Sequence, residues 1–141
     1  MEYHEMMKMI KEKYPTAEHW QFGDSAELQD ALAGLVTKEI KTATSCSFAS
    51  YRQSGNSIVI GNEYIVLNSR NEPTCVVRVM ALHLVRFSEM TTELAWKEGE
   101  GDRSVKHWQQ EHQRFFEREG TFSPEMEVVV IEFKMIDTVT A

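Results

Sequence analysis

Thr74-Cys75-Val76-Val77-Arg78-Val79-Met80-Ala81-Leu82-His83-Leu84-Val85-Arg86-Phe87 is a long run of side chains that suit a pleated, half-buried surface. Cys75, Val77, Val79, Ala81 and His83 alternate with Val76, Arg78, Met80, Leu82 and Leu84, and both sets are largely apolar. A strand wetted on one side would show one polar set. This one predicts a strand in a closed or covered sheet, with His83 as a hydrogen-bonded structural residue. Upstream, the polar connection Asn68-Ser69-Arg70-Asn71-Glu72-Pro73 turns the chain back onto Tyr64-Ile65-Val66-Leu67, a second strand. Near the other end, Val128, Val129, Val130, Ile131 and Phe133 mark a closing strand over 127–136.

Helical patterns surround these strands. Tyr3, Met6, Met7, Ile10 and Tyr14 recur at helical spacing until Pro15. Asp24 is a candidate N-cap, with Glu27 three residues on, for a helix whose stripe is Leu28, Ala31, Leu32, Leu35 and Val36. A short helix between Ser88 and Lys97 is capped by Ser88 or Thr91. A longer one runs from the cap Ser104 to Glu119, with Val105, Trp108, His112, Phe115 and Phe116 on its apolar face and Gly120 as its stop. Ser45 to Gly55 reads as strand plus a mobile loop, with a turn at Ser54-Gly55-Asn56-Ser57 and a short apolar segment at Ile58-Val59-Ile60. The order is helix, helix, strands, two helices, strand, which is an α+β pattern without repeats.

At 141 residues the chain fits one domain with a core of its own. Its composition, 42% hydrophobic and 26% charged, is that of an ordinary globular protein. No apolar run approaches the ~20 residues of a membrane span, and the acidic start Met1-Glu2-Tyr3-His4-Glu5 is no signal peptide. Cys46 and Cys75, free and not in a CxxC pair, suit the reducing cytoplasm. A net charge of −7 disfavours non-specific binding of long nucleic acid, yet allows a local cleft for a nucleoside.

Chemistry concentrates in Lys41-Thr42-Ala43-Thr44-Ser45, which offers an amine, hydroxyls and candidate nucleophiles. Lys41 and Thr44 would face opposite sides of a regular strand, so a shared site requires the backbone to bend there. Glu98-Gly99-Glu100-Gly101-Asp102-Arg103 is a loop of closely placed carboxylates. Trp20 and Phe22 either pack in the core or form a wall on which a base stacks. His107 and His112, five apart on a helix, point in different directions, and there is no HExxH, CxxC, P-loop, GxGxxG or Gly-x-Ser-x-Gly. The expectation is therefore no metal and no cofactor.

Trp20-Gln21-Phe22-Gly23-Asp24, Lys41 to Ser45, Glu98 to Ser104 with Trp108, the pair Phe115-Phe116 and the Val-rich closing strand resemble, in order and spacing, the ASCH-domain family. The resemblance implies a PUA-like, mostly antiparallel β-barrel flanked by helices, as residues 19–141, preceded by an N-terminal helical extension, residues 1–18. The family is linked to RNA binding, and one branch deacylates acetylated cytidine. By that resemblance Thr44 is the nucleophile, Lys41 its base or charge stabiliser, and Glu98 an orienting or proton-shuttling carboxylate. Trp20, Phe22, Asp24, Ser45, Arg103 and Trp108 would bind the substrate, a nucleoside or RNA. Alternatively, the domain binds RNA without catalysis. Glu39 stands where the family commonly has glycine, two residues before the lysine.

Overall fold

The structure, a computed structural model, describes residues 2–53 and 58–139. Its frame is a curled five-stranded sheet, a half-barrel in the order β1-β3-β4-β5-β2. The strands are β1 (Glu18–Trp20), β2 (Ala43–Ser47), β3 (Glu63–Leu67), β4 (Pro73–Arg86) and β5 (Glu127–Thr138). All neighbours pair antiparallel except β1 and β3. The long central pair β4–β5 bends at two register shifts, after Val76 and between Val79 and Ala81, and such irregularities help curl a sheet. Five helices pack around it: α1 (Tyr3–Lys13), α2 (Ala26–Thr37), α3 (Phe48–Gln53), α4 (Thr92–Glu98) and α5 (Val105–Glu119). The fold is α+β, as the order of sequence patterns requires.

Strand β5 shows how one segment serves two cores. Val129, Ile131 and Phe133 join Leu32, Ala33 and Val36 of α2, while Val128 and Val130 join Leu94, Trp108 and Phe116 of α4 and α5. Alternate residues point to opposite faces, so an uninterrupted apolar run is what such a strand needs. Helix α1 covers a third patch through Ile10, against Ile65, Leu67 and Val76. Lys13 and Tyr14 tie its end to Asp137 at 2.8 and 2.9 Å.

Several local expectations change. Helix α2 is capped by Ser25, which accepts from Leu28 N, while Asp24 pairs with Arg118 at 2.9 Å. Two adjacent residues could cap, and the tertiary ion pair takes one of them. Residues 18–20 form a parallel edge strand too short for periodicity to reveal. The Ser-rich stretch after β2, expected as a loop, contains the helix α3. The turn expected at Ser54 to Ser57 lies outside the described residues. The first half of β4 is buried as expected, but Met80 and Leu84 on its second half are more than half exposed.

Before β2 the chain turns sharply. Glu39 has φ +61°, in the left-handed region that favours glycine and costs other residues about 1–2 kcal/mol. Its partners hold it there: Glu39 N, Ile40 N and Lys41 N donate to carbonyls of the last turns of α2. Glu39→Gly should therefore stabilise the fold by about 0.5–1 kcal/mol after the greater freedom of glycine in the unfolded chain is counted. Urea unfolding checks this, and a lower midpoint for the glycine variant would contradict it.

Candidate functional site

The turn at Glu39 delivers Lys41 to the interior, where its side chain is 1% exposed. Its ammonium donates to Glu100 Oε2 at 2.8 Å and to the Glu98 carbonyl at 3.3 Å, and lies 3.7 Å from Glu98 Oε1. It also sits 5.8 Å from the centre of the Phe22 ring. Such a buried cation needs partners on every side, since taking it from water costs several kcal/mol.

Glu98 ends α4 and is itself buried. Ser45 and the Trp108 indole donate to its Oε2. Its Oε1 lies between Lys41 Nζ, at 3.7 Å, and His112 Nε2, at 3.5 Å, and has no hydrogen bond of its own among the described residues. Burial pushes the Glu98 carboxyl up, but the charge and contact of His112, the charge of Lys41 and the Ser45 hydroxyl outweigh it and bring it down to about 2. For His112 burial acts downward, but Glu98 and the bond to the Trp108 carbonyl prevail and hold the imidazole above its ordinary value of 6.5. The His112 ring stacks on Trp108 with centroids 4.3 Å apart.

Glycines make this approach possible. A Cβ on Gly99, at φ +74°, would come within 2.6 Å of the Ile40 carbonyl oxygen, and one on Gly101, at φ +60°, within 2.4 Å of the His107 ring. The Lys97 carbonyl accepts from Thr42 N at 2.7 Å, stitching the acidic loop to the lysine turn.

These groups border a cavity of about 570 Å³. One wall is α2, with Leu28, Ala31, Leu32 and Leu35; the other is α5, with His107, Glu111, His112, Phe115 and Arg118. Lys41, Thr44, Ser45 and Glu100 lie between them, and Gln21, Phe22 and Asp24 complete the rim. On edge strand β2, Thr44 pairs with Ile131 on the α2 face and Ser45 with Val130 on the α5 face. Both reach the cavity, so the backbone bend brings Lys41 and Thr44 to one space.

Of the residues singled out in the sequence, Lys41, Thr44, Ser45, Phe22 and Asp24 border this cavity, and Glu98 lies directly behind Lys41 and Ser45. The other three are elsewhere. Trp20 packs on Phe22, Tyr64 and Phe133 in the core. Trp108 is buried beneath Glu98. Arg103 stacks on Trp96, 3.7 Å from the ring centre, and donates to the Trp96 and Ile40 carbonyls, clasping the loop from outside. His83 contacts Glu132, which also receives Lys97 at 2.7 Å. His107 and His112, expected to diverge, both face the cavity, yet among the described residues no group of three His, Cys, Asp or Glu is placed to hold a metal. The sequence reading missed His112 and Glu100 as site residues; a histidine on an otherwise apolar stripe was the available signal for the first.

The sequence profile of the ASCH domain matches residues 18–137. The chain belongs to the ASCH-domain family. Among solved structures it is similar to an ASCH domain from Lactobacillus crispatus, at 26% identity and TM-score 0.81, covering 96% of this chain and 89% of that one. It is equally similar to a protein from Enterococcus faecalis, at 25% identity and TM-score 0.81, covering 99% and 95%. A comparison with curated proteins gives no significant match. No helix among the described residues is long and apolar enough to cross a membrane.

The buried pair has a signature in stability. Glu98, depressed from 4.5 to about 2, contributes stability that is full above 4.5 and is lost as the pH falls toward 2. His112, raised above 6.5, contributes stability that is full below 6.5 and is lost as the pH rises through its folded value. Urea midpoints should peak between about pH 4.5 and 6.5, and Glu98→Gln should remove the steepest part of the acid limb at a cost on the order of 3 kcal/mol. An unchanged acid limb in that variant would refute the assignment.

Proposed function

We propose that the cavity binds an acylated nucleoside and that this ASCH domain is an amidohydrolase removing the acyl group from a modified cytidine, with Thr44, Lys41 and Glu98 as its working residues. The observation that carries this reading is the buried Lys41–Glu98 pair, 3.7 Å apart, beside a hydroxyl-bearing strand that lines an open cavity. Structural ion pairs are rarely buried so completely, because well-packed apolar residues do as well or better.

In this reading Thr44 Oγ attacks the acyl carbon, and Lys41 stabilises the negative charge that develops on the carbonyl oxygen. Glu98 orients Lys41. Glu100, hydrogen-bonded to Lys41 and bordering the same cavity, accepts the Thr44 proton. Phe22 and the apolar α2 wall provide a face for a base.

The same cavity could hold a flipped base of an RNA without chemistry. The charges favour the hydrolase: Asp24, Glu100 and Glu111 border the cavity, and its lysine and arginine are already paired, Arg118 with Asp24 and Lys41 with Glu100, which disfavours a phosphate backbone. The family resemblance and this charge pattern also support a nucleoside-level role, and the free thiols of Cys46 and Cys75 support a cytoplasmic one.

Lys41→Met, Thr44→Ala and Glu98→Gln should each lower turnover of N4-acetylcytidine by about 100-fold or more, with folding checked by circular dichroism. Turnover by the unmodified protein should change little between low and moderate salt. Absence of acetate release, with RNA binding that weakens steeply with salt, would replace the hydrolase by the RNA-binding reading.

A further inference from the structure

The buried carboxylate behind the cavity holds two cations, and the reaction above uses only one. We propose that His112 is the proton donor to the leaving nitrogen, and that Glu98 positions it together with Lys41. This inference rests on the amidohydrolase reading.

The geometry assigns the ring atoms. His112 Nδ1 lies 2.8 Å from the Trp108 carbonyl oxygen, which can only accept, so Nδ1 carries a hydrogen. Nε2 then faces Glu98 Oε1 at 3.5 Å. That contact is too long for a good hydrogen bond, and Oε1 is the one buried side-chain oxygen left without a bond among the described residues. A proton on Nε2 is thus attracted by Glu98 without being tied up by it, and His112 borders the cavity that Lys41 and Thr44 also line. Stacking on Trp108 fixes the ring plane. The charged and titratable groups around the ring are Glu98 and Glu100 from α4 and the loop after it, Lys41 from before β2, Asp24 from before α2, and His107, Glu111 and Arg118 from α5 itself. The net effect of Glu98 and Glu100 is to favour the imidazolium.

Amide cleavage needs this proton, because an amide anion is too poor a leaving group to depart unprotonated. In the first half-reaction the Thr44 Oγ–carbon bond forms, Thr44 gives its proton to Glu100, the carbon–nitrogen bond breaks, and Nε2–H of His112 passes to the departing amine. In the second, water attacks the acyl-threonine, its proton returns to His112, and Thr44 leaves with the proton held by Glu100. The balance is amide plus water giving amine plus carboxylic acid, with every residue restored.

The test compares leaving groups. His112→Gln should lower kcat/KM for N4-acetylcytidine, which reports acylation, by about 100-fold or more, but the first-turnover rate of p-nitrophenolate release from p-nitrophenyl acetate, whose phenolate departs without a proton, by less than about 10-fold. A second measurement uses the unmodified protein. Its kcat/KM for the amide should fall as the pH rises through the His112 value, above 6.5, while the ester loses no activity there. Equal losses on both substrates, or an ester profile with the same basic limb, overturn the donor role and leave the hydrolase standing. If the unmodified protein cleaves neither substrate, the hydrolase reading falls and the donor role with it.

Discussion

Two side chains that ordinarily face water, Lys41 and Glu98, are among the most completely buried in the molecule. Desolvating both costs more than their attraction alone returns unless each is surrounded by further partners. Much of the local architecture follows from meeting that condition. Ser45 and Trp108 fill one oxygen of Glu98, Glu100 and a carbonyl fill Lys41, and His112 supplies the second positive charge that keeps the carboxylate ionised. Gly99 permits the acidic loop to touch the lysine turn, and Arg103 clasps the two from outside.

The sheet sets where this cluster can exist. Because β5 lends alternate residues to the α2 and α5 cores, the two helices are held on opposite faces. Only at the edge, along β2, can a cavity open between them and still rest on regular structure. Site residues therefore come from a strand edge, a turn, a loop and a helix, each braced by packing on its far side.

The fold was largely legible in the sequence because its main elements announce themselves locally. The Val-rich runs of β4 and β5 need no partner to be recognised, nor do the caps Thr91 and Ser104, both of which accept from the expected backbone amides. What stayed hidden depends on distant residues. A three-residue parallel strand has no periodicity of its own, and α3 is a single short helix among serines. Lys41 and Thr44 stood out as a dense set of polar groups, and family resemblance, which carries spacing and order, joined Glu98 to them. Glu100 and His112 escaped because their significance is relational: one becomes a partner only when Lys41 is buried beside it, and the other lies on a helix stripe that reads as core until the cavity beside it is seen. Arg103 and Trp108 were expected at the cavity and lie one layer away from it for the same reason, since a residue's layer is not written in its own neighbourhood.

Among the described residues strand β2 has just one neighbour in the sheet, and that neighbour is β5. Synthesis runs from the N-terminus, so Lys41 to Ser47 emerges from the ribosome well before the strand on which it docks. Glu98 likewise emerges before that strand, and the pair is enclosed only once Val128 and Val130 pack against Leu94 and Trp108. Until then both charges stay hydrated and cost nothing. Closing the half-barrel on β5 is thus the step that takes this lysine and this carboxylate out of water together.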